Sequence, residues 1–242
     1  MLKEIDGIVI SEQDYKESSK IIKIMTRDGI ISLIAKGSRK LKSDLRNTTT
    51  KLTYGTFNMY YKEDNLSTLK EVDIINYFKN IKKDIVRVSY ASYLVELATQ
   101  VTKQNNHSDI FTLLISSLEK IDENFDPLII TNILELKYLD YLGVMPIIDE
   151  CSLCGTKTSI ATISGRSGGY VCNKCLTNEF IVDEKTIKLI RMFCYVDISK
   201  ISKLEISEKI KNEINNFLDD YYDKYTGLYL KTKTFLKDLN KF

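Results

Sequence analysis

The chain has 242 residues, 43% of them hydrophobic and 28% charged, which suits one large domain or two to three small ones and excludes a disordered polymer. Its 35 basic and 33 acidic residues leave a net charge of +2, so no global field draws it to nucleic acid, and any such role must rest on local patches. The opening MLKEIDGIVISEQD carries acids where a signal peptide needs apolar residues, and no run approaches the roughly 18 apolar residues of a membrane span; a cytoplasmic protein is expected.

Residues 1–79 read as β. Gly7-Ile8-Val9-Ile10 and Lys20 to Met25 are short runs rich in β-branched residues, and Asp28-Gly29 is a dipeptide that turns tight hairpins because both positions tolerate positive φ. Ile30 to Ala35, Tyr54 to Tyr61 and Ser67 to Ile75 supply three more strands, the last two separated by the polar turn Glu63-Asp64-Asn65. Five short strands fit a small closed barrel such as the OB-fold, which leaves no free sheet edge. Periodicity alone does not separate that barrel from other five-stranded β domains.

From about residue 80 the period changes. Ile81, Ile85, Val88, Tyr93, Leu94, Leu97 and Val101 recur at helical spacing, as the buried face of one long helix. A second helix follows Ser108, carrying Phe111, Leu114, Ile115, Leu118 and Ile121. A third opens with Asp126 as N-cap and Pro127 at the first position, and ends at Gly143. Helical patterning returns over Glu184 to Tyr195, Ser207 to Tyr225 and Thr232 to Leu239. The predicted class is α+β: a five-stranded OB-type barrel over 1–79, then a helical domain over 80–242 with a metal module embedded at about 147–180.

That module holds Cys151-Ser-Leu-Cys154 and Cys172-Asn-Lys-Cys175, with seventeen residues between the pairs. The spacing is a recognised zinc pattern, and four thiolates complete a tetrahedral shell with bonds of roughly 2.3 Å. Gly155 follows the first pair, where a tight turn directs backbone amides at the thiolates. Two short strands, Ile160 to Ile163 and Gly169 to Val171, complete the outline of a zinc ribbon. A catalytic zinc keeps an open position; here four ligands fill the shell, so the expected role of Zn2+ is structural. The remaining cysteine, Cys194, reads as a small buried side chain.

Lys36-Gly-Ser-Arg39-Lys40-Leu-Lys42 continues through Arg46 to Lys51, six cations opposed only by Asp44. On a loop leaving a strand, such residues contact phosphates and release counterions, and Gly37 lets the backbone approach closely. The bland alternative is a solvated loop. Tyr54, Phe57, Tyr60 and Tyr61 offer rings for stacking bases, although alternation sends about half of them inward. Catalysis is not expected: no nucleotide-binding loop or nucleophile motif is present, and the sole histidine, His107, lies in the polar stretch Gln104 to Ser108.

Taken together, these segments resemble the RecO family of bacterial recombination mediators nearly end to end. The resemblance rests on Gly7-Ile8-Val9, on Tyr15-Lys16-Glu17-Ser18-Ser19-Lys20-Ile21, on Thr26 and Gly29, and on Ala35-Lys36-Gly37-Ser38-Arg39. It extends through Cys151-x-x-Cys154-Gly155, Gly168-Gly169 and Cys172-x-x-Cys175 to Lys231-Thr-Lys-Thr-Phe235-Leu236, where Thr232 stands at a position expected to be serine. It implies a protein of DNA repair that binds single- and double-stranded DNA, anneals complementary strands and joins RecR. Such proteins help load RecA onto DNA coated by single-strand-binding protein, whose acidic tail docks on some members. On this resemblance Lys36, Arg39 and Lys40 lead the phosphate contacts, with Lys42 and Arg46 extending the loop. Lys185, Lys188 and Arg191 form a second candidate basic face, with a solvated helix face as its simpler reading. The competing function is a zinc-ribbon adaptor that works mainly through protein partners.

Overall fold

A computed structural model describes residues 1–63 and 65–239, without the side chains of 237–239. Asp64 of the expected Glu63–Asn65 turn lies outside the described residues. Five strands, β1 (Leu2–Tyr15), β2 (Ser19–Thr26), β3 (Gly29–Ala35), β4 (Tyr54–Tyr60) and β5 (Ser67–Asn76), close a barrel in the order β1-β2-β3-β5-β4. A short helix, α1 (Leu45–Thr48), interrupts the β3–β4 connection.

β1 is longer than its apolar stretch suggests. Its first half pairs with β4 and its second with β2, and the register shifts between Val9 and Ser11. Lys3, Glu4 and Asp6 dilute the hydrophobic signal there, yet the pairing with β4 runs unbroken from Leu2 to Ile8. Val9 enters the barrel core with Ile22, Ile24, Leu33, Phe57 and Met59. Ile8 and Ile10, on the opposite face, belong to the core shared with the helices. Met25 and Leu52 belong to it too, and the alternation of β1 gives this junction two of its residues from one tripeptide.

The β2–β3 hairpin turns one residue earlier than the Asp28-Gly29 dipeptide implied. Thr26 pairs with Gly29, so Arg27 and Asp28 form the turn, and only Gly29 takes positive φ. Thr26 decides this: its hydroxyl accepts from Asp28 N (3.2 Å) and donates to Gly29 O (2.9 Å).

The expected long helix from residue 80 is two helices. α2 (Lys79–Lys82) buries Ile81, and α3 (Ile85–Gln104) starts afresh at Asp84, whose carboxylate accepts from Val86 N and Arg87 N. Ile85 therefore sits in the first turn and is 66% exposed rather than on the buried face. α4 (Ser108–Asp122) buries Phe111, Leu114, Ile115, Leu118 and Ile121. α5 (Pro127–Tyr141) is capped by Asp126 and buried almost all round, the signature of a central bundle helix.

Between α5 and the next helix stands a three-stranded sheet of order β6-β8-β7: β6 (Ile147–Cys151), β7 (Ile160–Ser164) and β8 (Gly169–Cys172). β6, with two acids among its five residues and two register pairs to β8, gave no sequence signal. Gly169 makes the close approach of β6 and β8 possible: its φ is +152°, and a Cβ there would lie 2.1 Å from Ile147 O. α6 (Glu184–Tyr195), a 3-10 turn (Ile198–Lys200), α7 (Glu208–Tyr225) and α8 (Lys231–Leu239) complete the body. No described helix is long and apolar enough to cross a membrane.

Candidate nucleic-acid interface and metal centre

The β3–β4 connection is folded back onto the barrel rather than dangling from it. Arg39 N donates to Ser18 O (2.9 Å), and its guanidinium donates to Lys16 O (3.3 Å) and pairs with Asp14 Oδ2 (3.2 Å). Gly37, at φ +67°, gives its N–H to Ser19 Oγ (3.2 Å) and so braces the loop. Ser38 is fully buried beneath it. Thr49 is buried too, its hydroxyl bonded to Leu45 O (2.6 Å), and Leu45 packs on the barrel core.

Lys36, Arg39, Lys40, Lys42 and Arg46 are all exposed on this braced loop. Among the described residues, only Arg39 of the five forms an ion pair. The other four present unpaired charge to solvent, the arrangement that neutralises phosphates. The aromatic set divides by position. Phe57 fills the barrel core, Tyr54 packs edge-on against Phe111 of α4 (centroids 6.1 Å), and Tyr61 lies under the ammonium of Lys3 (4.9 Å). Tyr60 alone of the four is mostly exposed.

The second candidate basic face is offset by acids. Lys188 pairs with Glu184 (2.5 Å) and Arg191 with Asp149 (2.8 Å).

The four expected cysteines meet. Cys151 closes β6 and Cys172 closes β8, both buried, while Cys154 is exposed and Cys175 half-buried. Their Sγ atoms all lie within 4.8 Å of one another, Cys154 and Cys172 at 3.6 Å; a tetrahedral thiolate shell has edges of roughly 3.8 Å. Burial resists ionisation of Cys151, but N–H donors from Cys172, Leu153 and Cys154 prevail and bring its thiol down to about 6. Cys175 goes up to about 12, because its thiol bonds to Cys154 and Cys172 and lies near Cys151. Four thiolates this close repel one another unless a cation lies among them, so the donor set fits a metal ion. Gly155, at φ +73°, closes the turn by giving its N–H to Cys151 O (2.8 Å), while the amides of Leu153 and Cys154 point at the Cys151 sulfur as expected.

Cys194 stands apart and is half-buried; burial raises its thiol to about 11. His107 is exposed and caps α4, Nδ1 accepting from Asp109 N.

One polar cluster was not legible as such. Lys233 of α8 lies 2.8 Å from Asp219 and 3.7 Å from Glu135, which also accepts from Tyr93 Oη. Glu96 caps α8 by accepting from Lys231 N, Thr232 N and the Thr232 hydroxyl, a bond that serine at 232 would equally supply. The Lys-Thr-Lys-Thr spacing was the only sequence signal, and it named no acidic partner.

Comparison with known proteins agrees with this architecture along the whole chain. Residues 1–78 match the family model for the N-terminal part of recombination protein O, and residues 82–234 match that for its C-terminal part. The DNA repair protein RecO of Listeria innocua is 34% identical over 246 aligned residues, covering all of this chain and 96% of the relative. The namesake protein of Bacillus cereus is 34% identical over 247, covering all of this chain and 99% of the relative; that of Listeria monocytogenes is 33% identical over 246. Matched by both family models over nearly its whole length and a third identical to relatives that it covers throughout, the chain belongs to the RecO family of DNA repair proteins.

Proposed function

We propose that this protein is a non-enzymatic recombination mediator of the cytoplasm, associated with the nucleoid when active. It binds single- and double-stranded DNA and anneals complementary strands. With RecR it helps load RecA onto DNA coated by single-strand-binding protein, whose acidic tail is a further partner. The observation that carries this reading is the braced loop with four unpaired cations, Lys36, Lys40, Lys42 and Arg46, on the outside of the barrel. Annealing needs only charge neutralisation and local concentration of two strands, which such a loop supplies without a catalytic group. The metal in the cysteine centre is zinc in this reading, held by Cys151, Cys154, Cys172 and Cys175, and its work is structural.

The test is oligonucleotide binding by fluorescence anisotropy across a salt series, with an annealing assay alongside. Lys36→Glu/Lys40→Glu/Lys42→Glu should bind weakly, with a shallower log–log salt slope, and anneal slowly. Binding and annealing equal to wild type would remove the loop from the interface.

The adaptor reading has one observation in its favour. Leu153 (56%), Phe180 (72%) and Ile181 (60%) are exposed on and beside the metal module, the kind of apolar surface that meets protein. RecR capture that survives the triple lysine variant but fails in Phe180→Ser/Ile181→Ser would assign that surface to a partner.

A further inference from the structure

Leu41 is out of place by every local criterion. It is 84% exposed, and among the described large hydrophobic residues only Met1, at the start of the chain, is as bare. Lys40 and Lys42 flank it, both exposed. A floppy loop would let a leucine fold down onto apolar surface. This loop cannot do so readily, since successive turns fix its backbone: Lys40 N to Gly37 O (3.0 Å), Ser43 N to Lys40 O (3.1 Å) and Arg46 N to Ser43 O (3.0 Å). Ser38 and Leu45 anchor its two ends while Leu41 rides at the tip.

Beside the tip lies an open cleft of about 440 Å³ between the loop and β5. Lys42 and Lys70 contribute donors there, Asp44 and Glu71 acceptors, and Ser43 and Thr48 hydroxyls. Two cations against two carboxylates make it near-neutral and rich in hydrogen-bonding groups. A phosphate would gain little in such a place, whereas a nucleobase, neutral with donors and acceptors on its edges, matches it.

We propose that Leu41 is a wedge that enters the base stack of bound single-stranded DNA, displacing one base into the cleft beside Lys42. Lys36 and Lys40 hold the backbone while the leucine parts the bases. Apolar side chains carried on cationic elements part base steps in this way elsewhere. Strands so opened present unstacked bases to a complementary strand. The inference rests on the proposed DNA face and adds to it a contact with bases.

The test uses the full-length protein, a single-stranded oligonucleotide carrying 2-aminopurine, and a matched oligonucleotide lacking bases over its central stretch. Leu41→Ala should melt like wild type, because the tip contributes nothing to a core. It should bind the normal oligonucleotide roughly fivefold more weakly, the cost of exposing part of a leucine, with the salt slope unchanged. It should also lose the fluorescence rise that unstacked 2-aminopurine gives, and match wild type on the base-free strand. Two results overturn the wedge and leave the cationic face standing. In one, Leu41→Ala keeps wild-type affinity and fluorescence while Lys40→Glu/Lys42→Glu weakens binding. In the other, the Leu41→Ala loss persists in full on base-free DNA. If Lys40→Glu/Lys42→Glu itself binds as wild type, the DNA face is wrong and the wedge falls with it.

Discussion

Arg39 donates to the carbonyl oxygen of Lys16 at 3.3 Å, joining two of the segments by which the N-terminal half resembles its family. Its guanidinium also pairs with Asp14, so this arginine is spent partly on the loop's shape. Arg39→Ala should therefore reduce the salt slope of DNA binding by clearly less than Lys40→Ala, for which about 0.7 is expected on a single strand. Exposed pairs contribute about 1 kcal/mol or less, so the unfolding midpoint should barely move. Equal slope losses for the two variants, by anisotropy, would make Arg39 a phosphate contact as full as Lys40.

Lys233 is the anchor of α8. It is 15% exposed and stands between Asp219 and Glu135, the latter 3% exposed, with its ammonium over the Tyr222 ring (5.0 Å). Lys233→Met leaves the carboxylate of Glu135 buried without its cation, which should cost about 3 kcal/mol or more. Lys233→Met/Glu135→Gln should recover much of that, because both charges leave together. Urea melts of the two variants decide it, and an equally unstable double variant would mean that packing, not charge, holds the helix.

The elements that were legible were those whose signal is local. Asp126-Pro127 fixed the start of α5 and the two cysteine pairs fixed the four-thiol cluster, because capping and a site able to hold a metal each need particular residues at particular spacings. The long helix expected across Ile81 and Ile85 failed because Asp84, a cap, carries no weight in a count of apolar positions. β6 was invisible because its partner, β8, lies eighteen residues or more along the chain, and long-range pairing has no period. The loop's cations could be named, but not which of them was free: Asp14 and Arg39 are far apart in sequence and meet only through the β1–β2 hairpin. Leu41, likewise, is an unremarkable letter until the fold leaves it bare.

Glu135 also gives the protein a pH signature. Burial raises its carboxyl above the ordinary 4.5, only partly opposed by Lys233 and by the Tyr93 hydrogen bond. A raised folded value means that, above pH 4.5, the folded state holds a proton the unfolded chain has released. The group's contribution to stability is therefore full below about 4.5 and is lost as pH rises through the folded value. Glu135→Gln lacks this titration. The stability of wild type relative to Glu135→Gln should fall as pH rises from 4.5, measured by denaturant unfolding at a series of pH values. A difference independent of pH would show that folding leaves the ionisation of Glu135 unchanged.

The cysteine centre joins the ends of β6 and β8 in a small sheet. β6 meets β8 at two register positions and β7 is five residues long, too little for a free-standing structure in water. Ile148, Ile163 and Tyr170 pack the sheet on the shared core, and a metal held by the four cysteines would add its binding free energy to folding. Full-length protein should contain one zinc by elemental analysis, with four sulfur neighbours near 2.3 Å, roughly, by X-ray absorption. Cys172→Ser removes a buried ligand on β8 and should lower the melting temperature by about 5 °C or more, as should prolonged chelation of wild type. DNA binding at the barrel should survive Cys172→Ser below its melting point, since the loop bearing Lys36 to Arg46 takes its bracing from β1 and β2. Loss of DNA binding in a still-folded Cys172→Ser protein would place the metal module itself on the DNA.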